Sequence, residues 1–306
     1  MCFVRRLLII DGHAYAYRAF YAIRELRSPT ARPTNAIFGF IKMLEKMLAV
    51  LQPEFVAVIW DGGLSGERLA LLPDYKAQRA ETPADLKVQF DEMVEYLQAV
   101  GVVSRCRDGV EADDLIASLA KRAVVAPGAE GPDLAGVSVV IASADKDFMQ
   151  LVSERVGLFN PNDKTEAIWT AAQVREKTGV EPGQVVDWLS LMGDAVDNIP
   201  GVPGVGPKTA AGLLGQFGTV TNLFARLGEV KSERLRLALA GAVDLVRRNV
   251  EMVRLRDDLA CDFVPADYRV KPPEADALRL LYRRWGFKGM LAALDAPVPD
   301  RQPNLI

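Results

Sequence analysis

Residues 4–11 read VRRLLIID, residues 55–61 read FVAVIWD, and residues 137–147 read VSVVIASADKD. Each stretch contains an apolar run that ends at or just before an aspartate, which is typical of a buried strand in a parallel sheet. A segment from Ala14 to Ile23 and a helix from Asn35 to Leu51 separate the first two runs. This order predicts an α/β fold with a mostly parallel central sheet flanked by helices.

Nine carboxylates recur where the apolar runs end or where a predicted helix begins. For any one of them, a turn or capping role is the simpler interpretation, because turns favour aspartate. Ligands of an open α/β sheet bind at the carboxyl ends of its strands, so nine such acids together indicate a metal site. They are Asp11, Asp61, Glu111, Asp113, Asp114, Asp145, Asp147, Asp194 and Asp197.

The composition is that of an ordinary globular protein of 306 residues, half of them apolar. The formal net charge of −3 becomes positive once the nine acids are set aside, which indicates a basic rim around an acidic site. No apolar run reaches the length of a membrane span, and Cys2, Cys106 and Cys261 form no CxxC pair. We therefore expect a cytoplasmic protein whose cysteines serve in packing.

A single histidine, His13, limits the chemistry. A Ser-His-Asp triad would have to be built on it alone, and a zinc site of the usual His and Cys composition cannot be assembled. Many carboxylates with almost no nitrogen or sulfur ligands select hard cations, Mg²⁺ or Mn²⁺. Two such ions cleave phosphodiesters without a protein base, because they activate a water and stabilise charge on the phosphate.

The spacing of four acids predicts that they face one cavity in pairs. Glu111 and Asp114 are three residues apart, as are Asp194 and Asp197, and such pairs share one face of a helix. Helix capping is the alternative for the acids of residues 111–114.

Asp145 and Asp147 flank Lys146 in the sequence SADKD. If strand geometry continues there, the two aspartates point the same way and Lys146 points elsewhere. Packing so many acids together costs many kcal/mol unless cations neutralise them. Metal binding is therefore the interpretation that makes the cluster stable.

Residues 62–82 read GGLSGERLALLPDYKAQRAET and interrupt the βαβ pattern. They contain few core positions and three basic residues, Arg68, Lys76 and Arg79, so we expect an exposed, mobile excursion. A solvated charged loop is the simpler interpretation of these charges. Beyond it, Pro83 opens a helix to about Val100.

The second half of the chain is predicted to be mostly helical. A helix spans Glu111 to Val124, a Gly/Pro-rich loop occupies 126–136, and a further helix runs from Pro182 to Met192. Several short helices then extend to about Leu294. The proline-rich end of the chain indicates a tail or linker.

The sequence GVPGVGPKTA at 201–210 predicts a helix-hairpin-helix. Gly204 and Gly206 allow a tight turn and close backbone approach, and the following helix offers N–H groups to a phosphate. A bare glycine pattern is a weak signal, but Lys208 and Thr209 at the helix start strengthen it. The alternative for Lys208 is an exposed lysine without a ligand.

Six motifs together carry a family resemblance that runs in order from Val4 to about Leu294. They are LIIDGHAYAYRAF at 8–20, DYKAQR at 74–79, GVEADDLIASLA at 109–120, SADKDFMQL at 143–151, GDAVDNIPGVPGVGPKTA at 193–210 and WGFKGML at 285–291. The chain resembles the 5′ nuclease domain of bacterial DNA polymerase I, within the flap endonuclease superfamily. All the acidic positions of that family's two metal sites are filled here.

The resemblance implies a PIN-like nuclease core at 1–180 with a helical arch at about 62–82. It further implies an all-helical helix-hairpin-helix subdomain at 181–294 and a tail or linker at 295–306. The glycine-rich residues 62–67 depart from the family pattern and bear on the rigidity of the arch.

The resemblance also assigns roles to residues and implies two Mg²⁺ or Mn²⁺ ions. One ion is served by Asp11, Asp61, Glu111 and Asp113, directly or through water, while Asp114, Asp145, Asp147, Asp194 and Asp197 complete the cluster and a second site. Lys76, Arg79 and Arg18 are implied in catalysis, and Arg68, Lys76, Arg79, Gly204, Gly206, Lys208 and Thr209 in DNA binding. K⁺ is a further candidate ion at the helix-hairpin-helix.

The function implied is that of a structure-specific 5′ nuclease, exonuclease and flap endonuclease, in primer removal and DNA repair. Its substrates would be 5′-flap, nicked or branched DNA and RNA primer–DNA hybrids. We expect a monomer that binds no membrane, either autonomous or fused to a polymerase. One alternative is a catalytically silent DNA-junction binding module, against which the complete set of acids argues. Another is a haloacid-type phosphatase, which requires a second aspartate where this chain has His13.

Overall fold

The computed structural model describes residues 5–125, 137–160, 163 and 165–296. Its strands are β1 (Arg6–Asp11), β2 (Phe55–Trp60), β3 (Val103–Cys106), β4 (Ser138–Ala142), β5 (Val156–Phe159), β6 (Ile168–Trp169), β7 (Gly193–Asp194) and β8 (Ile199–Pro200). Its first helices are α1 (Gly12–Ala22), α2 (Asn35–Leu51), α3 (Gly66–Leu71), α4 (Ala84–Lys87), α5 (Phe90–Ala99), α6 (Ala112–Val125) and α7 (Ala171–Thr178). The later ones are α8 (Val185–Met192), α9 (Pro207–Phe217), α10 (Val220–Ala225), α11 (Glu233–Ala240), α12 (Val243–Val253), α13 (Pro265–Tyr268), α14 (Ala275–Trp285) and α15 (Lys288–Asp295). Short 3₁₀ helices occupy Lys146–Leu151, Pro182–Gln184 and Leu227–Glu229.

The main sheet has the strand order β3-β2-β1-β4-β5-β6. All neighbouring strands are parallel except β6, which runs antiparallel to β5. The predicted α/β class with a mostly parallel sheet is therefore confirmed. From β1 the chain builds outward through β2 and β3, then crosses to β4 on the other side, so the strand order reverses between β1 and β4. Ligands of open α/β sheets bind in the crevice at this reversal.

Both faces of the sheet are buried, which explains the continuous apolar runs. Leu7 and Ile9 contribute to one hydrophobic cluster, while Leu8 and Ile10 contribute to the other. The first cluster continues into α6 and into the helices α8 to α12. The second contains side chains of α1, α2, α5, α14 and α15. The helices after residue 180 thus share a core with the sheet.

The helices of the predicted subdomain at 181–294 contribute to both hydrophobic clusters. Its last two helices, α14 and α15, lie on the sheet face opposite to α8 and α12. There the Phe287 ring meets the Phe38 ring edge to face with 5.2 Å between centroids, and Trp285 Nε1 donates to the Glu92 carboxylate. The apolar stripe of α14 packs against α5, which sequence spacing alone does not reveal. This region also contains the short β7–β8 pair, so it is not entirely helical.

The helix predicted from Pro83 to about Val100 is divided into α4 and α5. Gln89, at the division, is completely buried. Its Oε1 accepts from the N–H groups of Ala36 and Ile37, at 2.9 and 3.1 Å. Gln89 therefore satisfies backbone donors at the start of α2 that the helix itself leaves unpaired.

Several smaller expectations have different outcomes. The short strands β3, β5 and β6 were not predicted. Cys106 is exposed, so its expected packing role is wrong, while Cys261 is partly buried. Cys2, the 126–136 loop and residues 297–306 of the predicted tail lie outside the described residues. Within the described part of the chain, no helix is long and apolar enough to cross a membrane.

Candidate metal centre and nucleic-acid site

Asp11 lies at the junction between β1 and α1, at the reversal of strand order. Its Oδ1 accepts from the Ala14 N–H at 3.0 Å, which caps α1. Its Oδ2 accepts from the Ser143 hydroxyl at 3.1 Å, and Ser143 directly follows β4. The ends of the two central strands are therefore joined at this carboxylate. The role of Ser143 was not predicted from the sequence; the only available signal was its position in the motif SADKD.

A cleft of about 520 Å³ opens over this junction. Four predicted acids line it, namely Asp11, Asp61, Asp113 and Asp145. They come from the end of β1, the end of β2, the first turn of α6 and the segment after β4, and so from segments far apart in sequence. Tyr17, Arg79 and Thr82 also line the cleft.

A second group of acids consists of Asp147, Asp194 and Asp197. One carboxylate oxygen from each lies within 4.8 Å of the others. The expectation of a shared helix face is wrong for Asp194 and Asp197, which lie in β7 and in the turn before β8. They converge because Gly193, at φ +74°, and Gly201 bring two backbone segments closer than any side chain would allow.

The segment after β4 forms a 3₁₀ helix rather than a continued strand. Asp145 caps it, with Oδ1 accepting from the Asp147 N–H at 2.9 Å. Lys146 was expected to point elsewhere, but its Nζ donates to Asp194 Oδ2 at 2.6 Å. The tighter helical geometry directs this lysine into the acid cluster, so the strand-based expectation is wrong.

Four acids carry unfavourable negative charge. Burial raises the pKa of Asp11 to about 6 and raises the pKa of Asp145. Burial, reinforced by neighbouring carboxylates, raises the pKa values of Asp113 and Asp147 well above the usual range. Asp147 Oδ1 is buried and has no hydrogen-bond partner among the described residues. Such a group requires a cation or a proton.

Glu111 has the opposite electrostatic environment. Burial alone would raise its pKa, but Lys76 and Arg68 lower it below the usual range. Its Oε1 accepts from Arg68 Nη1 at 3.0 Å, and its Oε2 accepts from the Tyr75 hydroxyl at 3.0 Å and from Lys76 Nζ. Tyr75 lies within the quoted DYKAQR motif, but its contact with Glu111 was not predicted.

Most of segment 62–82 is exposed, as expected, but two of its three predicted basic residues are not. Arg68 and Lys76 are only 5% exposed. The backbone N–H of Lys76 donates to the Asp197 carbonyl at 3.0 Å, and Arg79 Nη2 donates to Asp197 Oδ1 at 2.8 Å. Compensating acids allow Arg68 and Lys76 to be buried, which composition alone does not reveal, whereas the Arg79 side chain stays 45% exposed.

The glycine-rich start of this segment is held in place. Gly62 donates to the Val110 carbonyl at 3.0 Å and accepts from the Gly109 N–H at 2.8 Å. A Cβ on Gly62 would come within 1.9 Å of the Arg107 carbonyl oxygen. Glycine is therefore required there for close backbone approach.

The remaining predicted DNA-binding residues lie at the surface. Gly204 has φ +80°, and nothing lies within 4 Å of its Cβ position. Gly206 precedes α9 and offers no side-chain cap, Lys208 is exposed in the first turn and Thr209 is partly buried. Arg18 is exposed on α1, seven residues after Asp11.

Both halves of the chain match known protein families. Residues 6–179 match the 5′-3′ exonuclease, N-terminal resolvase-like domain, and residues 180–276 match the 5′-3′ exonuclease, C-terminal SAM fold. The chain is 36% identical over 293 residues to a 5′-3′ exonuclease of Aquifex aeolicus, covering 95% of this chain and 96% of that protein. It is 35% identical over 303 residues to DNA polymerase I of Bacillus caldotenax, covering 98% of this chain but 34% of that protein. The chain thus spans about a third of this polymerase relative.

Solved structures share the fold at lower identity. The T5 5′-exonuclease with bound zinc superimposes with a TM-score of 0.66 and 22% identity, covering 95% of this chain and 98% of that one. The catalytic core of Rad2 in complex with DNA substrate gives a TM-score of 0.62 and 17% identity, covering 95% and 93%. With both domain matches and full-length similarity to the Aquifex protein, the chain belongs to the 5′-3′ exonuclease family.

Proposed function

We propose that this chain is a divalent-metal-dependent 5′ nuclease that cuts DNA at the free 5′ end and at 5′-flap junctions. The observation that carries the proposal is the convergence of acids from separate segments at the strand-order reversal. Asp11, Asp113, Asp145 and Asp147 have raised pKa values there, because burial and mutual repulsion disfavour their charge. Divalent cations would relieve that repulsion.

The donor set fits two hard cations. Asp11, Asp61, Asp113 and Asp145 line one cleft and would hold the first ion. Asp147, Asp194 and Asp197 form the second group, in which the unpartnered Asp147 Oδ1 is a ready ligand. All ligands are carboxylates, which suits Mg²⁺ or Mn²⁺. Bound there, such ions supply the Lewis acidity that activates water and stabilises charge on the phosphate.

Basic residues beside the acids would bind the scissile phosphate. Arg79 lines the cleft with a half-exposed guanidinium, and Lys76 lies between Glu111 and Asp197. Arg18 on α1 is the third candidate. Arg68 does not suit this role, because its N–H groups are all used within the protein.

The turn before α9 is proposed to hold the duplex backbone. A Cβ at Gly204 or Gly206 would meet nothing within 4 Å, the first turn of α9 has no side-chain cap, and Lys208 adds a positive charge. Contacts of this kind bind any sequence. K⁺ at this turn stays a prediction.

Flap, nicked or branched DNA and RNA primer–DNA hybrids are the proposed substrates. Two structural neighbours are a T5 flap endonuclease in complex with DNA and metal ions and the catalytic core of Rad2 in complex with DNA substrate. Fusion to a polymerase, action as a monomer and a cytoplasmic location remain predictions.

The test is cleavage of labelled DNA by the purified chain. Substrates are a 5′ flap, a nicked duplex, a blunt duplex and an RNA-primed hybrid, each with Mg²⁺, Mn²⁺, Ca²⁺ or EDTA. We expect Mg²⁺- or Mn²⁺-dependent release of short 5′ products, fastest from the flap, and none in EDTA. Binding of the flap without cleavage under any of these conditions would instead identify a silent junction-binding module.

A further inference from the structure

We propose that Arg68 is a positioning residue that orients Glu111 toward the metal cluster, and that Asp114 is its structural counterion rather than a metal ligand. The inference rests on the proposed metal-dependent function. It assigns Arg68 and Asp114 roles different from those that the family resemblance implies.

Arg68 uses its whole guanidinium inside the protein. Nε donates to the Met252 carbonyl at 3.0 Å, and Nη2 donates to the Arg254 carbonyl at 3.1 Å. Nη1 and Nη2 donate to the two Asp114 oxygens, both at 2.8 Å, and Nη1 also donates to Glu111 Oε1 at 3.0 Å. A guanidinium has five N–H donors, so this set leaves none for a DNA phosphate.

Three of the roughly four acceptor positions of Asp114 are occupied in the same network. Its Oδ1 accepts from Arg68 Nη2 and from the Arg256 N–H at 2.9 Å, while its Oδ2 accepts from Arg68 Nη1. The residue is 2% exposed. Metal ligation would place a divalent cation beside the buried Arg68 guanidinium and divert the carboxylate charge that neutralises it, which is costly for a buried pair.

The two oxygens of Glu111 face different parts of the site. Oε1 accepts from Arg68 and from the Ser65 N–H at 3.2 Å, at the base of segment 62–82. Oε2 accepts from Tyr75 and Lys76, and Lys76 Nζ also lies 3.9 Å from Asp197 Oδ2. Arg68 thus fixes one oxygen of Glu111, while the other holds Lys76 beside Asp197 of the second metal group. Partners of this kind set the orientation of metal ligands in proteins.

The same contacts join three separate segments. Arg68 lies in α3, Glu111 and Asp114 lie at the start of α6, and the carbonyls come from the end of α12 and the residue after it. The orientation of Glu111 therefore depends on the C-terminal helices as well as on the sheet.

The test measures Mn²⁺ affinity without DNA, by calorimetry on the full chain. Arg68→Met should weaken Mn²⁺ binding about 10- to 100-fold, because Glu111 loses its orientation and no longer holds Lys76 in place beside the ligand Asp197. Asp114→Asn should change it less than about threefold, since the amide oxygen can still accept from Arg68 Nη2 and from the Arg256 N–H, while Arg68 Nη1 keeps Glu111 Oε1 as its acceptor. The matched control is Arg256→Met, which removes a partly exposed guanidinium paired with Glu67 and Asp258 and should leave affinity unchanged. The log-log salt slope of flap binding in Ca²⁺ should be the same for Arg68→Met and wild type, because Arg68 contacts no phosphate.

A second variant separates orientation from folding. Arg68→Met combined with Asp114→Leu removes both buried charges, so the melting temperature should recover relative to Arg68→Met alone. We expect Mn²⁺ affinity to stay low in this double variant. If affinity recovers together with stability, Arg68 acts only through the fold and the proposal is overturned.

Two further results would also overturn it. A loss of Mn²⁺ binding in Asp114→Asn as large as in Asp145→Asn would make Asp114 a ligand. A reduced salt slope in Arg68→Met would make Arg68 a DNA contact. If wild type neither binds Mn²⁺ nor cuts the flap, the proposed function itself fails. If wild type does both and Arg68→Met binds Mn²⁺ as tightly as wild type, only the role of Arg68 is overturned.

Discussion

Lys146 Nζ lies 2.6 Å from Asp194 Oδ2, so a lysine side chain occupies a place beside the proposed second metal group. Arg79 makes a similar pair with Asp197, and Lys76 with Glu111. Within the described residues, the acid site is therefore partly neutralised by its own cations. Metal binding would compete with these ion pairs for the same carboxylates.

We expect Lys146→Met to lower the melting temperature in EDTA by several degrees, because Asp194 loses its compensating charge in a buried cluster. Mg²⁺ should then raise the melting temperature of the variant more than that of wild type. Thermal unfolding across a Mg²⁺ titration measures both effects, with Lys42→Met, on an exposed face of α2, as the control. An unchanged EDTA melting temperature would show that the Lys146–Asp194 pair contributes no stability.

Asp145→Asn or Asp194→Asn should reduce cleavage by orders of magnitude while flap DNA still binds. Each change removes a proposed ligand charge but leaves the basic side chains in place. The measurements are single-turnover rates in Mg²⁺ and flap affinity in Ca²⁺. Asp244→Asn, at an exposed position on α12, is the matched control. Near-normal turnover in either variant would contradict the two-metal assignment.

Stability in EDTA should depend on Asp11 with a defined sign. Burial raises its folded-state pKa from 3.8 to about 6, so the folded protein binds the proton more tightly than the unfolded chain. This contribution is fully present below pH 3.8 and is lost as pH rises through about 6. We therefore compare the free energy of unfolding of wild type with that of Asp11→Asn in urea titrations. The difference, wild type minus variant, should decrease between about pH 4.5 and about pH 7.5.

The difference between variants is needed because His13 titrates in the opposite direction, its pKa being lowered by burial. Saturating Mg²⁺ should abolish the decrease, since the ion stabilises the ionised carboxylate. A difference that rises with pH in EDTA would contradict the raised pKa of Asp11.

Arg79→Ala and Lys76→Ala should both slow flap cleavage, by roughly tenfold or more, if both bind the scissile phosphate. Their effects on stability should differ. Arg79 has a side chain 45% exposed and should leave the melting temperature almost unchanged, whereas buried Lys76 leaves Glu111 uncompensated and should lower it. Single-turnover rates and melting curves test this. Equal turnover of Arg79→Ala and wild type at saturating flap DNA would show that Arg79 is a solvated surface charge and does not bind the scissile phosphate.

Lys208→Ala should weaken binding to all DNA sequences alike. Loss of one phosphate contact should reduce the magnitude of the log-log salt slope by about one, while chemistry at saturating DNA changes little. Flap affinity is titrated against KCl in Ca²⁺, with Lys42→Ala as the control. An unchanged slope, or a collapsed single-turnover rate with normal affinity, would contradict a duplex-binding role for the turn before α9.

Elements with a strong local pattern were predicted at the right residues. Phe55–Trp60 is β2 and Asn35–Leu51 is α2, because burial on both faces gives a continuous apolar run and burial on one face gives a helical period. The convergence of Asp11, Asp61 and Asp145 also followed from sequence. Parallel strands end at one edge, so the residues that follow them come together.

The sequence alone thus determined the central strands β1, β2 and β4, the helices α2 and α6, and the acidic edge. Only the tertiary structure decided which acids are paired with cations and which are left for metals. Arg68 meets Glu111 and Asp114 from 43 and 46 positions away and the Met252 carbonyl from 184 away. Apolar periodicity is a local property that each segment carries by itself. The partner of a charged side chain depends on which distant segments the packed core brings within hydrogen-bonding distance.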